Sequence, residues 1–162
     1  ITGLVAIVVA IYTAFLFAQA KGRDFWQSPT MAIHMLLHAL MAGISVNYII
    51  VLINGASTEW MNYLGTTGCI VLLLNLGVIL IELKTPHPTQ DAKMVVQMIL
   101  RGPYKYLFWL GAIFLGNIIP IVLLALGALS PLISSIASVL ILIGVYLINH
   151  IWVEAPQRIA LS

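Results

Sequence analysis

The sequence predicts an all-α fold, a polytopic bundle of transmembrane helices, on three observations. Hydrophobic residues make up 62% of the 162-residue chain and charged residues only 7%, against roughly 25% charged in a soluble domain. Mean hydropathy is +1.09. Apolar runs of about 20 residues, enough to cross a hydrocarbon core of about 30 Å, recur along the whole chain, so a signal peptide does not account for them. The few cations, finally, fall in short segments between those runs.

Five spans are expected, at about 1–20, 31–53, 61–83, 105–127 and 132–153, within a single membrane domain covering 1–162. The first is already apolar at Ile1, with no initiator methionine or basic leader, and reads as the later part of a longer polypeptide. It ends in the knot "KGRDFWQSP", where Lys21 and Arg23 fix the helix end and Phe25 and Trp26 suit an interfacial aromatic anchor. The third span closes on Glu82, two residues from Lys84, which reads either as a proton port or as an interfacial pair snorkelling to water. After it, "HPTQDAKMVVQMILRGP" is too polar to span. Ala92, Val95, Val96, Ile99 and Leu100 keep helical spacing, Thr89 can cap the start, and Gly102 with Pro103 provides a stop. An amphipathic helix over about 89–101 is expected on the membrane surface, with Lys93 and Arg101 toward water or lipid phosphates. In the fourth span, "GNIIP" places Pro120 where it frees the carbonyl of Gly116, and Asn117 beside it adds a donor and an acceptor. Small residues at four-residue spacing, Ala39 with Gly43, Ala112 with Gly116 and Ser134 with Ser138, allow close approach of helices.

With five alternating spans, all seven cations, Lys21, Arg23, Lys84, Lys93, Arg101, Lys105 and Arg158, lie on one side, and only Glu59 is charged on the other. The positive-inside rule then makes the segments 21–30 and 84–104 and the C-terminus cytoplasmic. A net charge of +2 gives no basis for binding nucleic acid. The single cysteine, Cys69, lies within a span, which excludes disulfide frameworks and cysteine-rich metal or iron–sulfur sites in this chain.

Polar side chains in hydrocarbon are expensive and therefore informative. Tyr12, His38, Asn75, Asn117 and His150 each lie about 8–12 residues in from the cationic side, a depth of roughly 12–18 Å. Such a layer can hold the head of a lipid-soluble quinone or carry protons to it, since tyrosine and histidine both donate and accept hydrogen bonds. The plainer alternative is that these groups satisfy one another as structural glue. His34 and His38 share a helix face, but a bis-histidine haem needs ligands from opposite faces, so His38 with His150 is the better pair for a haem b anchor. A proton or solute transporter without redox function is a further alternative, with the interrupted fourth span as its path.

Three segments resemble one family in order and spacing. "YTAFLFAQAKGRDFWQSP" is similar to the Y-T-G…K-A-R-P-F-W-N-S-P segment of the NrfD family of membrane subunits, which includes the polysulfide reductase anchor. "GPYKYLFWLGAIFLGNIIP" resembles its G-x-Y…F-W…G…P segment, and "VEAPQRIALS" its A-G-Q…P-L-S ending. Gly22 and Asp24 replace the usual Ala and Pro, and Pro156 the usual Gly. The resemblance implies that these are the last five spans of an eight-span protein. A ten-span form is implied by the wider group of alternative complex III and quinone reductase complex subunits, in which "ELKTPHPTQDAK" would be at home. It also implies a subunit of the prokaryotic cytoplasmic membrane that exchanges electrons between menaquinone or ubiquinone and a ferredoxin-like iron–sulfur subunit, which connects to a molybdopterin-type or cytochrome catalytic subunit. The simplest members carry no haem or metal of their own. The family's quinone-site tyrosine maps onto Tyr12. His38 is expected beside it, with Asn75, Glu82, Asn117 and His150 on a possible proton path, and no catalytic residue in the chain itself.

Overall fold

The structure, a computed structural model, describes residues 1–55, 57–86, 89–127 and 130–159. Parts of 54–60, 84–104 and 128–131, and the end of the C-terminal tail, therefore lie outside the described residues. The chain forms α1 (Thr2–Ala18), a single 3-10 turn (Asp24–Gln27), α2 (Thr30–Asn54), α3 (Thr58–Lys84) and α4 (Gln90–Leu100). A π-helical segment (Leu107–Ile118) then runs into α5 (Ile119–Gly127), and α6 (Pro131–Gln157) follows. No strand occurs among the described residues. Among the described residues, four helices are long and apolar enough to cross a membrane: α2, α3, the stretch Leu107–Leu126, and α6. The 17-residue α1 is a shorter apolar helix, about 26 Å long by its rise.

The bundle is apolar outside and polar within. Leu73, Leu74, Leu80 and Ile81 of α3 and Ile136, Val139 and Ile143 of α6 are exposed, whereas His34, His38, Asn75, Glu82, Asn117, Ser134 and Ser138 are buried. That arrangement suits a hydrocarbon solvent, in which apolar surface costs nothing and polar groups need internal partners. Helical phase decides which residues go inside. In α2 the buried positions Met31, His34, His38, Met41, Ser45 and Tyr48 recur every three to four residues. Ser57 caps α3 by accepting from the Trp60 N–H at 3.3 Å. Thr89 caps α4 through the Ala92 N–H at 3.4 Å, and Pro131 opens α6 where no N–H partner is needed.

The segments rich in cations meet at one end of the bundle. Arg23 Nη1 donates to the Pro156 carbonyl at 2.6 Å and to that of Ile159, closing the C-terminal turn of α6. Trp26 Nε1 donates to the Trp152 carbonyl at 2.8 Å. Phe25 and Trp26 are 2% and 8% exposed, so they plug the bundle end and do not form an outward-facing interfacial anchor. Trp26 packs on Phe17 with centroids 5.0 Å apart, and Phe25 meets Trp152 edge-on. The amphipathic α4 behaves likewise. Ala92, Val95 and Ile99 are buried in one apolar cluster with Phe25, Tyr104, Ile151 and Trp152, so its apolar face packs on protein and not on lipid.

Close approach is concentrated at one crossing. A Cβ added to Gly116 would stand 2.3 Å from the Cα of Gly144, and the converse is equally tight. The fourth span and α6 therefore touch backbone to backbone. Ala112, buried one turn earlier, lies on the same face, and Ser138 is tied to the Ser134 carbonyl at 2.8 Å. The Ala39 and Gly43 pair takes no part: both are exposed, and nothing lies within 4 Å of a Cβ built at Gly43. The fourth span is also continuous, where an interruption was expected. The Ile119 N–H bonds to the Phe114 carbonyl, five residues back. Pro120 has no N–H to place in either register, so the change from π to α bonding falls where a backbone bond is already missing.

Candidate functional site

The polar groups of α2, α3, the π segment and α6 converge midway through the bundle. His38 Nδ1 and Asn149 Oδ1 are 2.9 Å apart. With the amide oxygen accepting, Nδ1 carries the imidazole proton and Nε2 is left as an acceptor; that Nε2 is buried and has no hydrogen-bond partner. Asn75 neighbours His38 from α3. Its Nδ2 donates to Asn117 Oδ1 at 2.9 Å, and Asn117 Nδ2 in turn donates to the Ala112 carbonyl at 2.8 Å. Asn117 is thus anchored to the backbone one π turn back, and its oxygen points at α3. The Gly116–Gly144 crossing beside it sets how near α6, and so Asn149, comes to this layer.

Asn149 also lines a cleft of about 210 Å³ between α1, α2 and α6. Thr13 and Phe17 line it from α1, Trp26 from the 3-10 turn, Met31 and Met35 from α2, and Asn149, Trp152 and Val153 from α6. Its walls are aromatic rings and thioethers, with few polar atoms. His34, one turn from His38, is fully buried. Its ring lies 5.8 Å from that of His38 and meets Trp152 edge-on at 5.5 Å. Neither ring nitrogen of His34 has a partner among the described residues. Leaving such a group unsatisfied costs about 1–3 kcal/mol.

The remaining sequence-predicted residues stand apart from this centre. Tyr12 is 58% exposed on the outer side of α1, and it is its neighbour Thr13 that lines the cleft. His150 faces outward, 43% exposed in its side chain and paired with Glu154 at 2.7 Å. His38 and His150 consequently do not converge as a bis-histidine pair. No group of three or more His, Cys, Asp or Glu side chains among the described residues is placed to hold a metal ion. Glu82 does not snorkel: it is 2% exposed and accepts from Ser28 Oγ at 2.8 Å and from Thr30 Oγ1. Two residues emerge that depth alone did not single out, Asn149 and His34. For Asn149 the available signal was its spacing, one turn before Trp152 on the buried face of α6.

A bundle that turns aliphatic side chains outward and buries its amides, imidazoles and a carboxyl is a multi-pass integral membrane protein. The chain belongs to the NrfD family: the family model described as polysulphide reductase, NrfD, matches residues 1–160. Members of this family are membrane subunits of oxidoreductase-type complexes. Neither the curated proteins nor the solved structures give a match to this chain.

Proposed function

We propose that the chain is the quinone-interacting membrane subunit of a respiratory oxidoreductase in a prokaryotic cytoplasmic membrane, exchanging electrons between the quinone pool and an iron–sulfur partner subunit. The observation that carries the reading is Asn149, which lines an apolar, aromatic cleft at membrane depth while its side-chain oxygen meets the buried His38 ring. A quinone ring needs flat apolar walls and hydrogen-bonding groups at its carbonyls. Phe17, Trp152, Met31 and Met35 supply the walls. Asn149 gives its oxygen to His38, which leaves its amide nitrogen to donate to a quinone carbonyl. Drug-sized ligands occupy about 300–1,000 Å³. The 210 Å³ cleft is smaller, so it suits a ring headgroup whose isoprenoid tail stays in lipid.

Asn75, itself held by Asn117, neighbours His38 from α3. The part assigned to Tyr12 rests on the family segment and not on the cleft: its hydroxyl lies on the outer side of the same helix. With the cationic end in the cytoplasm, an iron–sulfur partner and the molybdopterin-type or cytochrome subunit behind it dock on a membrane face of the complex.

Quinol oxidation by the intact complex tests the assignment, using Tyr12→Phe, His38→Ala and Asn149→Leu. Removing one hydrogen bond in an apolar site costs about 1–3 kcal/mol, and each 1.4 kcal/mol is about tenfold. His38→Ala and Asn149→Leu are therefore expected to weaken apparent quinone affinity about tenfold or more. Unchanged affinity and activity in all three variants contradict the reading.

A further inference from the structure

The His38–Asn149 pair is buried, yet a quinone site must exchange protons with water. One face of α2 offers a route. Thr30, His34 and His38 are four residues apart in succession and so stack one above the other on that face. At its outer end Thr30 donates to the buried carboxylate of Glu82, which Ser28 also engages. Ser28 lines a groove of about 300 Å³, with Asp24, Gln27, Thr85 and Thr89, at the cationic end of the bundle. At its inner end the His34 ring lies 5.8 Å from that of His38. His34 is wholly buried, and neither of its nitrogens is committed to a hydrogen bond. A histidine kept only for packing against Trp152 would be cheaper as phenylalanine, which carries no unsatisfied nitrogen. An imidazole that accepts a proton on one nitrogen and releases it from the other is the side chain such a position suits.

We propose that Glu82, Thr30, His34 and His38 form a proton-relay column between the groove at the cationic end and the quinone cleft, with His34 as the transfer residue at its middle. The proposal rests on the quinone reading above. When a quinol is oxidised, two O–H bonds break and two electrons pass to the iron–sulfur partner. Each proton reaches the His38 imidazole, which Asn149 links to the cleft, then passes to the His34 ring, through the Thr30 hydroxyl to the Glu82 carboxylate and out past Ser28. Quinone reduction runs the same steps in reverse. Residues four apart on a helix face are about 5–6 Å apart at Cβ, so Thr30 and His38 flank His34 from the turns before and after it.

The test measures turnover and quinone affinity separately in the intact complex. His34→Phe keeps an aromatic ring against Trp152, and Glu82→Gln keeps the acceptor oxygen. Each is expected to lower kcat about tenfold or more, at the low end of general acid–base contributions, with apparent quinone Kd unchanged to within about twofold. Because the groups act in series, the double variant should be no slower than the slower single one. Azide, a small weak acid, should restore part of the Glu82→Gln loss. Thr30→Val, which removes only the hydroxyl, should give the same kcat defect and serves where His34→Phe fails to assemble. Unchanged kcat in these variants overturns the relay, as does a parallel loss of kcat and quinone affinity that adds in the double variant. If His38→Ala abolishes quinone binding while His34→Phe and Glu82→Gln turn over normally, the relay falls and the quinone reading survives. Unimpaired quinone affinity in His38→Ala removes the reading beneath both.

Discussion

At the scale of single residues, the rotational phase of each helix decides which polar groups meet at the centre of the bundle. Counting a rise of 1.5 Å per residue from the cationic end places Tyr12, His38, Asn75, Asn117 and His150 in one layer. Three of them, His38, Asn75 and Asn117, do meet. One residue along a helix, however, turns the side chain by about 100°. That turn separates His150, on the outer surface with Glu154, from Asn149, which faces His38. The same turn separates exposed Tyr12 from cleft-lining Thr13. Phe25 and Trp26 were misplaced for a different reason: aromatic residues beside cations suit both a lipid interface and a bundle plug, and only tertiary contacts decide between them. Trp26→Phe tests the plug. It keeps a ring against Phe17 but deletes the N–H that satisfies the Trp152 carbonyl, so thermal unfolding in detergent should show a loss of about 0.5–1.5 kcal/mol. No change would mean that the hydrogen bond is replaced by solvent.

At the scale of elements, the amphipathic period of α4 and its Thr89 cap were legible, but the partner of its apolar face was not. An interfacial helix and one docked on protein present the same pattern. Small-residue pairs show a related degeneracy. Ala112 and Gly116 lie at the tight crossing, while Ala39 and Gly43 face outward, and Gly144, with no small residue four positions away on either side, carries the contact from α6. Gly144→Ala would force a Cβ against backbone that cannot swing aside. Overpacking of this kind typically costs about 1–3 kcal/mol, and the variant should unfold earlier in detergent and loosen the cleft at Asn149. Gly43→Ala, with open space around it, should leave stability unchanged. The π segment makes a separate prediction through Asn117, whose side chain joins Asn75 to the Ala112 carbonyl. Asn117→Leu leaves the buried Asn75 amide N–H without its acceptor, for a loss of about 1–3 kcal/mol, whereas Asn117→Gln should recover part of it.

At the scale of the whole molecule, the segregation of all seven cations anticipated which segments share an end, and Arg23, Glu82 and the 3-10 turn join those segments directly. Charge could do this because alternation of spans is a global constraint, insensitive to the phase of any one helix. Cysteine accessibility in cells, on a Cys69→Ser background, checks the orientation: Lys93→Cys should label from the cytoplasm and Glu59→Cys from the other side. The reverse pattern would invert the proposed topology. The central claim concerns where in this bundle a quinone binds. A photoreactive quinone bound to the intact complex, followed by peptide mapping of the adducts, addresses it most directly. Adducts are predicted within 31–35 and 149–153, and they should be lost in Asn149→Leu; adducts confined to the outer side of α1 around Tyr12, with none in those two segments, would contradict the account.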